Sequence, residues 1–470
     1  MSMKLNLTPP LKRSHWLQET SFANDAMTCL QHTEEADVAI IGGGFVGLWT
    51  ALSIKEQAPD CKVVILEQDV CGGGASGRNG GFVMSWWPKI ASLRKFCSAE
   101  QALFLAQSSE NAISELGQFC QQHGIDAHFT QKGWIWTATT AAHIDTWQDT
   151  MAACEQLGAQ PFEVLDAADV AKRTGSNKHL AGIFEQSNAT VQPGLLVRGM
   201  RRVALEQGVL VYEQSGVSEI QAGSTATLLT AQGKVLAKQV VLASNAWAAC
   251  VPSLQQAMVP VNSSIVLTEA MPETLADIGW DGEEALTDSQ LMVNYYRTTK
   301  DGRIAFGKGT GAITYGSTIG PLFSEDAACI DLTEQHFRMT YPQLSHIRTV
   351  QAWSGPIDRT YDSLPIFGQL AGHSNIHYGI GWSGNGVGPS RIGGRILASL
   401  ALGKQDQWST CALVNRHYQK FPPEPLRYWG GKAVRLAVMK KEQAEMQGAT
   451  APRLALWLAG FAPSGLEDKA

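Results

Sequence analysis

Gly42-Gly43-Gly44-Phe45-Val46-Gly47, with Glu67 twenty positions beyond Gly47, is the strongest chemical signal in the sequence. The run fits G-x-G-x-x-G. It follows a short apolar stretch at 37–41 and opens a helical pattern at 45–57, with Val46, Leu48, Trp49, Leu52 and Ile54 at helical spacing. In that setting each glycine has a task in binding a dinucleotide. The first permits the tight turn, the second lets a pyrophosphate approach the backbone, and the third lets the helix pack on the strand. The helix N-terminus offers free N–H groups and the positive end of its dipole to the phosphates. Glu67 closes the next apolar stretch, 62–67, where it can accept hydrogen bonds from ribose hydroxyls. A bare glycine-rich turn needs only the first of these features.

A second run of small residues, Cys71-Gly72-Gly73-Gly74-Ala75-Ser76-Gly77-Arg78-Asn79-Gly80-Gly81-Phe82, follows at once. A nicotinamide enzyme continues there into another regular strand–helix unit. A backbone with few side chains instead suits a flat isoalloxazine and its ribityl chain, and Arg78 sets a cation near phosphate or flavin.

The elements that must hold these runs follow from periodicity. Strand, turn, helix and strand within about thirty residues form the unit of a parallel sheet. Helical patterns recur at 98–123, 141–158 and 389–402, and strands at 132–137, 209–212, 227–229 and 239–243. The region 258–310 alternates as antiparallel strands do. Residues 1–35, with Trp16 and Phe22, read as an arm over the body. Pro422-Pro423-Glu424-Pro425 precedes two amphipathic patches at 431–446 and 453–461. With 470 residues, 44% hydrophobic and 17% charged, the chain can bury a large core and is not disordered. Its 46 glycines exceed the usual ~7%, but they cluster at turns. A net charge of −6 argues against nucleic acid as the partner. Nine widely spaced cysteines without a C-x-x-C pair read as reduced thiols. With no signal-like segment and no long apolar run, the expected location is the cytoplasm. His373 and His377 have metal-like spacing but no carboxylate or cysteine partner, so no metal is expected.

Taken together, GGGFVGLWTA and VVILEQDVCGGGASGRNGGF resemble the D-amino-acid-oxidase-like superfamily of FAD-dependent amine oxidoreductases. Two later blocks agree: 238–247 (KQVVLASNAW), and 353–360 (WSGPIDRT) with Pro365 and 379–387 (GIGWSGNGV). The resemblance implies an α/β plus antiparallel β fold, in which a Rossmann-like FAD-binding domain carries an inserted sheet-containing substrate domain. The expected bounds are an arm at 1–35, an FAD domain at 36–90, 170–250 and 350–402, a substrate domain at 91–169 and 251–349, and a helical tail at 403–470. The implied FAD contacts are Gly42, Gly44, Phe45, Val46, Gly47, Glu67, Gln68, Gly74, Ala75, Ser76, Arg78, Asn79, Gly80, Gly81, Val217, Ser244, Asn245, Trp247, Gly381, Gly384, Asn385, Gly386 and Val387. Some members attach the flavin covalently through a Cys; the matching place lies close to Gly355, so a noncovalent FAD is expected. Sarcosine oxidases carry a Lys where Gly388 stands, which argues against simple sarcosine chemistry.

A narrower resemblance, in 80–89 (GGFVMSWWPK) and 421–428 (FPPEPLRY), is to aminophosphonate oxidoreductases, relatives of γ-glutamylputrescine oxidase. It implies oxidative deamination of a primary or N-methylated amine such as 2-aminoethylphosphonate. The aldehyde, phosphonoacetaldehyde, would form by imine hydrolysis, with dioxygen as acceptor and hydrogen peroxide as its product. A γ-glutamylputrescine-type or amino-acid oxidase, or a dehydrogenase passing electrons to a quinone, remains the alternative. For the anionic end, Arg297 on the strand 293–299 is the expected clamp, because a guanidinium binds phosphonate or carboxylate bidentately. Arg303 and Lys308 stand in reserve. Tyr296, Trp86 and Trp382 are expected at the amine pocket, although alternation keeps Tyr296 and Arg297 from entering together. The tail patches could touch a membrane surface but more often pack on their own domain.

Overall fold

In the computed structural model, which describes residues 2–20, 27–280 and 282–468, the apolar stretches on either side of the glycine turn form adjacent parallel strands. Thr33–Ile41 pairs with Val63–Leu66 on one side and Lys234–Leu242 on the other. Leu210–Tyr212 and His373–Ile380 extend the parallel part to either side, and Ile366–Leu370 adds an antiparallel edge. Val63–Leu66 is buried on both faces, as a strand covered on both sides of a parallel sheet must be. The first half of Lys234–Leu242 also pairs with Ala226–Leu229. Glu219–Gln221 and Ser2–Lys4 continue this antiparallel wing. The start of the expected arm is thus an edge strand; Phe22 lies outside the described residues.

Helix Phe45–Gln57 is buried almost all round because it lies between the sheet and helix Ser390–Ala401. That close approach requires Gly394, where a Cβ would sit 2.5 Å from the Trp49 Cβ.

A second, eight-stranded sheet runs in the order Thr349–Arg359, Val259–Thr268, Ile304–Gly309, Asn294–Thr298, Ala285–Asp288, Trp134–Ala138, Ala181–Glu185, Glu163–Leu165. Its pairs are antiparallel except Ala285–Asp288 with Trp134–Ala138. Ala181–Glu185, and all of Thr349–Arg359 but its first residue, fall within bounds expected for the FAD domain. Helix Ala99–Gln122 packs its Leu105, Ile113 and Leu116 face into the core around Phe45–Gln57, although its bounds were expected in the substrate domain. Crossovers between two sheets leave no mark in local periodicity, so these segments are not separable by pattern. The pattern at 141–158 is interrupted: Ile144 is extended (φ −62°, ψ 133°), leaving the 3₁₀ turn Ala141–His143 and helix Gln148–Glu155.

The tail helices, Leu426–Met446 and Arg453–Ala459, pack on each other and on the second sheet through Met292, Ala437, Val438, Ala455 and Ala459. No helix among the described residues is long and apolar enough to cross a membrane.

Candidate active site

The glycine turn meets Lys234–Leu242 at its mouth. Gly42 has φ +113°, and a Cβ there would lie 2.6 Å from the Ala243 carbonyl oxygen. Only glycine fits that backbone and that space. A Cβ at Gly47 would lie 2.0 Å from the Gly42 oxygen, so Gly47 serves helix–turn packing and stands behind the cavity wall. Gly44 begins helix Phe45–Gln57 without a side-chain cap, and the Phe45 N–H donates to Ser76 Oγ at 2.9 Å. Glu67 accepts from the Gly43 N–H (2.7 Å) and the Asp69 N–H (2.9 Å). Burial pushes its carboxyl up to about 7, with those two N–H groups opposing the shift.

The second glycine run is tied down from three sides. Arg78 donates from Nε to the Gly73 oxygen (3.1 Å), from Nη1 to the Ser354 oxygen (3.0 Å), and from Nη2 to the Lys12 oxygen. Burial lowers its pKa to about 10, so it remains a cation. Arg13 of the arm pairs with Asp69, at 2.7 Å between Nη2 and Oδ1. Trp247 Nε1 donates to Thr8 Oγ1 at 2.8 Å, so residues 5–11 lie across the mouth of the cavity.

Opposite, Asp358 at the end of Thr349–Arg359 accepts from the N–H groups of Gly381 (2.6 Å) and Trp382 (3.1 Å) and fixes the turn that follows. Burial raises this carboxyl to about 6. Ser383 (φ +55°) and Gly384 (φ +97°) then wrap the backbone around the cavity.

These pieces enclose one long cavity. It is lined by Gly42, Gly44, Phe45, Val46, Glu67, Gln68, Gly74, Ala75, Ser76, Arg78, Asn79, Gly80, Val217, Ser244, Asn245, Trp247, Gly384, Asn385, Gly386 and Val387, all expected contacts. Gly47, Gly81 and Gly381 stand just behind it: a Cβ on Gly81 would lie 2.0 Å from the Val191 oxygen, and Gly381 donates to Asp358. The residues fit FAD. The turn leaves a cradle at a helix N-terminus, an acid sits at the ribose position, and two buried lining atoms, Asn245 Oδ1 and Asn385 Oδ1, have no hydrogen-bond partner among the described residues.

The cavity is also lined by Phe82, Met84, Thr287, Val293, Tyr295, Trp382 and Leu466, none of them in the glycine turns, and these form its candidate substrate end. Here the expectations need correction. Tyr296 points to the opposite face of its strand, where its ring stacks on Phe306 and its hydroxyl meets His179 Nε2 at 2.6 Å; Tyr295 faces the cavity instead. Trp86 is a core side chain, 1% exposed, and does not reach the cavity. Arg297 shares the Tyr295 face but turns away over Trp16. Its guanidinium donates to the carbonyls of Gly80 (2.7 Å), Val191 (2.6 Å) and Thr298 (3.0 Å). Arg303 binds Asp301 and the Thr268 oxygen, and Lys308 holds Gln290, Met292 and Asn294; neither lines the cavity. Trp382 does.

Arg359, which closes the WSGPIDR stretch and was not among the expected contacts, also lines the cavity. Its Nη1 donates to Ser363 Oγ (2.8 Å) and the Ser464 oxygen (3.1 Å), while Nε and Nη2 carry no hydrogen bond among the described residues. Burial lowers its pKa to about 10, with Glu467 and Asp358 opposing the shift, so it is charged at neutral pH. The signal that could have found it is position: Thr349–Arg359 ends at the cavity, so its last side chain can face into it.

A Rossmann-like sheet with this glycine cradle, beside an antiparallel sheet that closes over it, defines an FAD-dependent oxidoreductase. Comparison with known proteins agrees. The family model DAO, described as FAD dependent oxidoreductase, matches residues 37–400. The chain belongs to this family: it is an FAD-dependent oxidoreductase. It is similar to gamma-glutamylputrescine oxidoreductase of Escherichia coli (strain K12), 29% identical over 417 residues, covering 88% of this chain and 91% of that one. Among solved structures, glycine oxidase from Geobacillus kaustophilus superposes with a TM-score of 0.65 at 23% identity (79% of this chain, 96% of that one). L-amino acid deaminase from Proteus myxofaciens does so with 0.67 at 17% (86% and 97%).

Gly355, close to which the family resemblance would set a covalent attachment, lines the cavity and offers no thiol. Acid precipitation of the holoprotein should therefore release free FAD into the supernatant. Flavin absorbance staying with the pellet would contradict a noncovalent cofactor.

Proposed function

We propose that the protein oxidises a primary or N-methylated amine bearing an anionic end, an aminophosphonate such as 2-aminoethylphosphonate or its N-methyl form. The observation that carries this reading is Arg359, whose Nε and Nη2 carry no hydrogen bond among the described residues, beside a candidate substrate end lined mainly by Phe82, Met84, Val293, Tyr295 and Trp382. A phosphonate or carboxylate cannot enter such a space without a charge partner. Bound FAD supplies the hydride acceptor. The chain's residues hold the neutral amine with its C–H toward the flavin, and Trp382, Tyr295, Phe82 and Met84 exclude water. The carbon loses a hydride and the nitrogen a proton. The resulting imine adds water and releases ammonia or methylamine, leaving an aldehyde, here phosphonoacetaldehyde. Dioxygen is the proposed acceptor, taking two electrons and two protons to hydrogen peroxide. A quinone is the alternative, favoured by Trp429, Leu436, Leu454 and Trp457, exposed on the tail helices. Oxygen consumption measured against quinone reduction separates the two.

A second reading, a γ-glutamylated amine, is favoured by the Escherichia coli relative, whose name gives that substrate, and its carboxylate would also suit Arg359. Anaerobic flavin bleaching with amines ending in phosphonate, α-carboxylate or a γ-glutamyl group decides. Fast bleaching by 2-aminoethylphosphonate or its N-methyl form is expected. Bleaching by γ-glutamylputrescine alone would overturn the first reading in favour of the second.

A further inference from the structure

After helix Arg453–Ala459 the chain does not trail into solvent. Ser464 donates its N–H to the Tyr361 oxygen (2.8 Å), and its own carbonyl accepts from Ser363 Oγ (2.8 Å) and Arg359 Nη1 (3.1 Å). Four residues on, the Asp468 N–H donates to the Pro88 oxygen (2.7 Å), and the Asp468 carbonyl accepts from Thr150 Oγ1 (2.9 Å). The Asp468 carboxylate accepts from Lys89 Nζ (2.7 Å) and from the N–H (2.6 Å) and Oγ of Ser92. Lys89 is 2% exposed. Between the two anchors, Glu467 is fully buried and accepts from Thr287 Oγ1 at 2.9 Å, while Leu466 and Thr287 both line the cavity.

Burying Lys89, Asp468 and Glu467 carries a desolvation cost of several kcal/mol per ion, offset only by specific partners, so a loosely held segment would not adopt this course. Its partners come from the stretch following the flavin loop (Pro88, Lys89, Ser92), from the second sheet (Thr287), and from the turn after Thr349–Arg359 (Tyr361, Ser363). The segment therefore bridges both halves of the molecule where the substrate end of the cavity would otherwise open.

We propose that Ser464–Asp468 is a wall of the substrate cavity, with Leu466 setting how bulky an amine is admitted and Asp468 latching the wall to Lys89. The choice of amine in its test rests on the proposed function; the wall itself does not. The segment touches the substrate end and none of the glycine turn or Glu67, so its variants should retain FAD.

Leu466→Ala, Leu466→Trp and Asp468→Asn holoproteins are compared with the parent in two measurements. The first is acrylamide quenching of bound-flavin fluorescence, with FAD content as control. Leu466→Ala and Asp468→Asn should raise the quenching constant severalfold, and Leu466→Trp should not. The second is flavin reduction by 2-aminoethylphosphonate with an N-methyl or an N-benzyl group. Leu466→Ala should shift the preference toward the N-benzyl amine about tenfold, and Leu466→Trp should shift it the opposite way. Equal quenching in all four proteins at full FAD content overturns the wall. Quenching that changes as expected in a protein that oxidises neither amine upholds the wall and refutes the aminophosphonate reading. Changed quenching with an unchanged size preference in an active enzyme overturns the specificity role.

Discussion

Gly44→Val should give a folded protein that holds no FAD. The backbone at Gly44 is extended (φ −85°, ψ −174°), a conformation any residue adopts, so valine brings no backbone strain. A Cβ there meets the Ser76 Oγ at 2.7 Å and nothing else closer than 3.7 Å, and the hydroxyl can rotate aside at the loss of one hydrogen bond, from the Phe45 N–H. The methyl groups beyond it project into the cavity at the free N–H groups of the helix, the space a pyrophosphate needs. The expected loss in cofactor affinity is at least about 3 kcal/mol, roughly a hundredfold in Kd. Gly44→Ala, with only the Cβ, should fall between. Gly42→Val and Gly47→Val are different in kind. One forces φ +113° against the Ala243 carbonyl and the other drives a Cβ into the Gly42 carbonyl, so both should fail as folding variants. Flavin absorbance per protein, read beside the melting curve, separates these classes. A Gly44→Val protein with parental melting and a full complement of flavin would remove Gly44 from the phosphate site.

The contrast between the two ends of the cavity explains what the sequence could reveal. At the cofactor end, function is performed by backbone: tight turns, a helix N-terminus and close approach. Those demands select glycine at fixed intervals from Gly42 to Gly47 and again through Gly72–Gly74, so the chemistry is written as local spacing. At the substrate end, function is performed by side chains from remote segments. Thr287, Tyr295 and Arg359 come together because the second sheet joins strands far apart in sequence, and Met84 and Leu466 reach the same cavity from outside that sheet. Alternation distinguishes Tyr295 from Tyr296 but does not say which faces the flavin. That was decided by the aromatic packing of Tyr296 with Trp280, Phe306 and Tyr341 on the other side. Arg297 misleads for the same reason. Its strand lies near the site, yet backbone carbonyls of the flavin loop and of Val191 are nearer to its guanidinium than the cavity is. The wall at Leu466 had no local signal, because a run of small and charged residues after an amphipathic helix reads as tail.

Two arginines test this division directly. Arg359→Gln should keep its FAD and its fold but weaken the apparent affinity for an anionic amine by about 2–5 kcal/mol, since a charged ligand would lose the guanidinium proposed to meet it. A matched amine without the anion should be almost unaffected. Arg359→Lys should recover part of the loss, because it restores charge but not the planar fork. Arg297→Ala should behave in the opposite manner. It strips charge-assisted donors from the buried carbonyls of Gly80 and Val191 and leaves a void beneath Trp16, so stability should fall by roughly 3–5 kcal/mol. Any surviving holoprotein should bind anionic and neutral amines with unchanged relative preference. Thermal melts and flavin reduction with both amines on the same four proteins provide the comparison. An Arg297→Ala protein that melts like the parent and loses only the anionic amine would return the clamp to Arg297. An Arg359→Gln protein with full flavin and intact discrimination would show that the phosphonate or carboxylate is met by some other group. The geometry favours neither outcome, because Arg297 has three carbonyls within 3.0 Å and Arg359 keeps two N–H sites at the cavity.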